Sequence, residues 1–203
     1  EKLDYYEKAL ESMLSAVQTA ELEEYKPKEN WYVLMAACYN ELSLRIGKEE
    51  SLYKQLDIYE ILVNLYPKKM YFIQLGGIYG QLSRELDYMI TLNAAYQKDL
   101  LDKESEYLAL TQLLLLNNNP YWAAKVLEAG RIKKVPVIDE KTKEEKILPV
   151  VKDNEKNLKL LADAWRMAQE IDIAIPIMEK AAKLAKDGQT FIILGSLYLS
   201  EDK

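Results

Sequence analysis

The stretch FIQLGGIYGQLSRELDYMITLNAA, residues 72–95, decides how this chain folds. Its first half sets Phe72, Leu75, Gly76 and Tyr79 at helical intervals, and its second half does the same with Tyr88, Leu92 and Ala95. Each half therefore has one apolar face on a helix. Leu82 to Arg84 leaves room only for a short turn, so the two helices are expected to lie antiparallel, with Gly76 letting the backbones approach. Moving along by 35 residues finds Tyr107, Leu110, Thr111 and Leu114, then Ala123, Leu127 and Gly130. The helix that starts the next unit has Leu158, Leu161, Ala162 and Trp165, and 33 residues after Leu158 come Phe191, Leu194, Gly195 and Tyr198. Self-similarity at that period marks a helical solenoid, in which each unit packs on its neighbours.

Outward from this template, residues 1–25 read as a second helix without its first, and 188–203 as a first helix without its second. Between them lie repeats at about 29–67, 69–100, 104–130 and 154–187, read as one superhelical domain spanning 1–203. Gly47 is expected to end a helix before a charged turn over 48–50, with the next helix starting near Ser51. Pro67 ends that helix. Pro120 opens another, where its missing amide costs nothing. Three glycines inside one helix need offsets. Gly76 has close packing, while Gly77 and Gly80 are expected to open room on the inner face.

Residues 131–153 break the period, adding roughly 17 residues. They hold two β-branched runs, Val135-Pro-Val-Ile138 and Ile147-Leu-Pro-Val-Val151, around a polar turn, so a β-hairpin is expected. If Asp139 faces Lys146, Pro136 faces Pro149. Both prolines then fall in a pair that needs neither amide, and they spoil the outer edges against further strands. The ribbon either covers a joint between repeats or reaches for a partner.

Composition narrows the chemistry. Apolar residues make up 49% of the 203, enough for a core. A net charge of −6 without a basic run disfavours nucleic acid as a partner. The longest nearly apolar run, Leu108 to Leu116, is far short of the ~20 residues of a membrane span. With no histidine and one cysteine, the chain lacks the commonest general base, the commonest metal ligand and any internal disulfide. Cys38 reads as a small packed residue. Gly76-Gly77-Ile78-Tyr79-Gly80 is no phosphate loop, because it lies inside a helical period rather than between strand and helix. No catalytic residue, cofactor or metal is expected, and the chain is read as not an enzyme.

The order aromatic or Leu, Leu, small residue, aromatic, then an Ala-containing second helix and a terminal Pro, resembles the tetratricopeptide repeat (TPR) family. Phe72, Leu75, Gly76, Tyr79 and Tyr32, Met35, Ala36, Tyr39 with Pro67 carry it best. Thr111 at a small position and Tyr88 in place of the usual Ala depart from it. The resemblance implies an all-α, TPR-like α-solenoid of antiparallel helix pairs, with the hairpin-like insertion at about 131–153. More narrowly, Lys26-Pro-Lys-Glu-Asn-Trp31, Leu65-Tyr-Pro-Lys-Lys69 and Gln74-Leu-Gly-Gly-Ile-Tyr-Gly80 resemble bacterial TPR proteins that accompany TonB-type energy-transduction systems. That implies a periplasmic adaptor, its targeting segment removed or upstream; a cytoplasmic location is the alternative.

In this family the first helices form the inner, partner-binding face. The positions so implied here are Val33, Asn40, Met70, Ile73, Gln81, Leu108, Gln112, Leu115, Leu116, Arg166 and Ile192. Their apolar character fits a helical or extended apolar segment of a protein or peptide partner. It does not fit a clamp for acidic tails. The alternative is a structural role, in which copies self-associate through the terminal half-repeats.

Overall fold

The computed structural model describes residues 2–139, 141, 143–186 and 188–201. Parts of the expected terminal half-repeats (Glu1 and residues 202–203), Asp187 and the hairpin-turn residues Glu140 and Thr142 lie outside them. The chain divides into two compact units, Glu1–Leu100 and Leu101–Lys203.

In the first unit come α1 (Lys2–Leu22), α2 (Glu29–Glu41), a single turn α3 (Ser43–Ile46), α4 (Lys48–Leu65), α5 (Lys69–Gln81) and α6 (Glu85–Gln97). Successive long helices pack pairwise, α1 on α2, α2 on α4, α4 on α5 and α5 on α6. One core cluster gathers Leu10, Tyr32, Met35, Ala36 and Leu62, and the next gathers Leu52, Leu56, Leu75, Ile78 and Tyr79. The second unit holds α7 (Glu104–Leu116), α8 (Pro120–Ile132), strands β1 (Lys134–Ile138) and β2 (Glu145–Pro149), α9 (Glu155–Met167), α10 (Ile171–Leu184) and α11 (Gln189–Glu201). Here too each helix packs on the next, and Leu110, Leu127, Leu161, Trp165 and Met178 are sealed from solvent.

Five helices end alike and without glycine. Glu24, Ser83, Asp99, Asn118 and Gln169 take φ between +55° and +65° just after α1, α5, α6, α7 and α9. The following amide then reaches back over the helix end, as Arg84 N–H does to the Tyr79 carbonyl (2.9 Å) and Glu170 N–H to that of Trp165 (2.9 Å). This is the Schellman closure, which satisfies carbonyls that a helix end leaves without partners.

Four expectations need correction. Residues 48–50 are the first turn of α4, where Glu49 and Glu50 favour the positive end of the helix dipole. Gly47, at φ +94°, links α3 directly to α4. Secondly, the close packing expected at Gly76 is against a side chain of the neighbouring helix, and Gly80 does not open room on the inner face. A Cβ at Gly76 would meet the Tyr88 ring at 2.8 Å, and one at Gly80 would meet it at 3.6 Å. Gly76 thus seats an aromatic ring from α6 that a methyl would strike, Gly80 lies in ordinary contact with the same ring, and of these three only Gly77 faces open space. The unusual Tyr88 and the surplus glycines are two sides of one contact.

Thirdly, α8 runs to Ile132, past the expected end of its repeat at about 130. Fourthly, the ribbon is antiparallel as expected, but Pro136 lies opposite Ile147 and Pro149 opposite Lys134. The reason lies in the turn. Asp139 pairs with Glu144 (N–H to carbonyl, 2.9 Å), Lys143 takes φ +60° and donates its amide to the Asp139 carbonyl, and the Asp139 carboxylate accepts from Lys141 N–H. Asp139 still meets Lys146 at 2.8 Å, diagonally across the ladder. The main-chain bonds Val150 to Lys133 and Asp139 to Glu144 put the hydrogen-bonded pairs at odd-numbered residues of β1. Both prolines therefore still occupy non-hydrogen-bonded pairs and deny an amide to each outer edge.

Candidate functional site: the first-helix faces

All eleven expected contact residues lie on first-type helices, and none is in the fully buried core. In the first unit, Val33 and Asn40 sit on α2, and Met70, Ile73 and Gln81 on α5. Met70 is 57% exposed, and the open side of Gly77 continues its face toward Gln81. Ile73 is half-buried. Val33 packs against the core cluster of Tyr32 and Met35, so it supports the helix pair more than it offers a free contact.

In the second unit, Leu108, Gln112 and Leu115 fall on one face of α7, with Leu116 at its end 73% exposed. Tyr107, Leu110, Thr111 and Leu114 point into the core, where the buried Thr111 hydroxyl donates to the Tyr107 carbonyl at 2.8 Å. Arg166 on α9 pairs with Asp163 at 3.2 Å, and both line a cleft of about 390 Å³ with Ile193 and Ser196 of α11. Ile192 is 65% exposed. The structure brings Leu108, Gln112 and Leu115 together, and places Ile73 in the other unit.

Sequence reasoning missed two features. The first unit has a cleft of about 650 Å³ between α1 and the segment before α2, lined by Ser15, Ala16, Thr19, Tyr25, Lys28 and Trp31. Small residues at helical spacing (Ser12, Ser15, Ala16, Thr19), beside the α1 face that packs Tyr6, Met13 and Val17 on the core, were its available signal. The second feature is an aromatic group on α8 and α9. Tyr121 stacks edge-on with Trp122 and with Trp165, and the Lys125 ammonium sits 5.2 Å from the Trp165 ring.

The titratable groups read as structural. Burial pushes the Cys38 thiol up, away from thiolate chemistry. Hydrogen bonds from Lys68 and Tyr71 hold the Glu29 carboxyl below its ordinary value. Burial, and then the Glu29 bond, raise the Tyr71 phenol to about 12. Among the described residues, no helix is long and apolar enough to cross a membrane, and no group of three or more Cys, Asp or Glu could hold a metal ion.

Across the described residues, first-type and second-type helices alternate, with aromatic, Leu and small residues at matching places. Solved structures share this arrangement. YrrB, a TPR protein with an unusual peptide-binding site, superposes with a TM-score of 0.54 over 91% of this chain and 83% of its own, at 14% identity. The fold is that of the tetratricopeptide repeat. MamA from Desulfovibrio magneticus RS-1 is similar to this chain at a TM-score of 0.50 and 17% identity, over 82% of this chain and 85% of its own. No protein-family model and no curated protein sequence matches it. The chain is an all-α, TPR-like solenoid with a small two-stranded insertion.

Proposed function

We propose that this TPR chain is a non-catalytic scaffold that holds a helical or extended apolar segment of a partner protein on its first-type helices. One observation carries the reading. α7 turns the part-buried Leu108 and Leu115 and the exposed Gln112 and Leu116 away from the core that Tyr107, Leu110 and Leu114 complete, so that face keeps apolar surface that folding does not fully bury. Met70 and Ile73 repeat the pattern on α5. The finer reading, a periplasmic adaptor of a TonB-type system, rests on the sequence resemblance around Lys26–Trp31, Leu65–Lys69 and Gln74–Gly80.

The test is capture of a partner from an envelope fraction by the wild type and by Ile73→Glu and Leu108→Glu. An apolar anchor contributes about 1 to 4 kcal/mol to binding. A change outside the core shifts stability by about 0.5 kcal/mol. Capture is expected to fall while cooperative unfolding persists. Unfolding of either variant, or undiminished capture by both, would remove these helix faces from the reading.

A second reading, self-association, is supported by α11. Its Phe191 and Tyr198 are exposed and Gly195 meets open space, whereas the equivalent Phe72 and Tyr79 are buried. Light scattering that rises with concentration and is lost in Phe191→Glu would support it; a wild type that stays monomeric would dismiss it.

A further inference from the structure

The β1–β2 ribbon has one face that stays exposed among the described residues. Strand alternation puts Pro136 and Ile138 of β1 beside Ile147 and Pro149 of β2 on that face, with Lys134 and Glu145 at its corners. Ile138 is 66% and Ile147 70% exposed. At its base Pro149 meets Ile132, itself 77% exposed, across a cleft of about 490 Å³ also lined by Glu128, Arg131 and Asp153. The opposite face is partly used, since Val135 is half-buried.

The ribbon's base is fixed. Val150 and Val151 are buried, and a Cβ at Gly130 would strike Val151 at 2.6 Å. Arg131 holds Asp153 with two bonds, of 2.6 and 2.8 Å. Glu104 accepts both the Lys152 amide and the buried Asn157 side chain. An exposed apolar face is thus presented from a rigid root, which lowers the ordering cost of binding.

The kind of partner follows from the edges and the charge. A strand added to the ribbon would find no amide at Pro136 or at Pro149, one on each outer edge, so an extended segment is disfavoured. A helix needs only the face. Residues 131–153 hold seven basic and five acidic residues, within a chain of net charge −6. The ion pairs Arg131–Asp153 and Lys146–Asp139 cancel, which leaves Lys134, Lys141, Lys143 and Lys152 exposed on and beside the ribbon against exposed Glu144 and Glu145, a basic surplus. We propose that this face docks an amphipathic helix of another protein whose apolar stripe is flanked by Asp and Glu. This site is separate from the first-helix faces of the proposed function.

Three helical peptides with one Leu stripe, flanked by Glu, by Gln or by Lys, test it by fluorescence anisotropy against the whole chain. The Glu-flanked peptide should bind tightest, and less tightly as salt is raised. Its Kd should rise about tenfold or more in Ile147→Asp and independently in Ile138→Asp. Circular dichroism and the unfolding midpoint should stay put, because both side chains lie outside the core. Leu108→Glu should leave this binding intact, which separates it from the first-helix faces. Equal binding of the Lys-flanked peptide, indifference to both ribbon variants, or loss in Leu108→Glu alone would overturn the proposal. So would binding to anionic phosphatidylglycerol vesicles with no binding of any peptide, which would give the face to a membrane surface.

Discussion

Trp165 donates its indole N–H to the Glu128 carboxylate at 3.1 Å, one first-type helix to the second-type helix before it. Tyr79 makes the same link to Glu60, and Tyr198 to Glu179, both at 2.5 Å. In those two cases the partners are 19 residues apart, and in the first 37. The eighteen extra residues are the ribbon. The bond spans it unchanged, so the helices on either side keep the packing of an uninterrupted pair of repeats.

Removing the hydroxyl in Tyr79→Phe should cost about 1.5 to 3 kcal/mol, the range for a hydrogen bond to a charged group. Tyr198→Phe should cost less, because Tyr198 is exposed and water replaces the partner. Chemical denaturation should show the larger fall in midpoint for Tyr79→Phe, with the slope unchanged in both. Equal costs would mean that burial does not set the strength of the link.

Neighbouring glycines should respond with opposite signs. Gly77→Ala adds a methyl to open space and removes backbone freedom from the unfolded chain, for a gain of about 0.5 to 1 kcal/mol. Gly76→Ala drives a Cβ into the Tyr88 ring and should lose about 1 to 2 kcal/mol net. Thermal midpoints moving apart would bear this out. Pairing Gly76→Ala with Tyr88→Ala should recover much of the loss.

Excising residues 135–148 and bridging the gap with a short Gly/Ser link should leave cooperative unfolding intact, as ribbon residues 136–138 and 143–149 are exposed where described. The cut must stop short of Val150 and Val151, which are buried beneath it. Val151→Ala in the intact chain should cost about 2 kcal/mol. A broad, uncooperative transition after excision would instead make the ribbon part of the core.

Alkaline pH should weaken the fold through Tyr71. Its phenol is raised from 10.0 to about 12, so the native state keeps a proton that the unfolded chain has released. Stability from this group is whole below pH 10 and lost as pH climbs toward 12. Tyr79 shifts the same way, through burial and then its bond to Glu60. Midpoints followed across that window should fall more steeply for wild type than for Tyr71→Phe.

Sequence alone determined the helix pairs, their order, the place of the insertion and its two strands, because these rest on local signals. Apolar spacing selects helix or strand within a few residues, and Pro67, Pro120 and Gly47 punctuate it. Even the protected edges of the ribbon were legible, since a proline lacks its amide in any register. What the tertiary structure decided was which groups meet. A shift of two residues in the ribbon preserves every side chain's face, so the pattern of Val, Ile and Pro could not choose between registers; the turn at Asp139 and Lys143 chose. Tyr88 in place of Ala and the surplus Gly80 looked unrelated until the ring was seen lying against Gly76 and Gly80. Likewise, a glutamate 19 residues before an aromatic is invisible as a signal until two helices bring them to bonding distance. Side-chain partners are set by packing between elements, and a periodicity within one element carries no record of its neighbour.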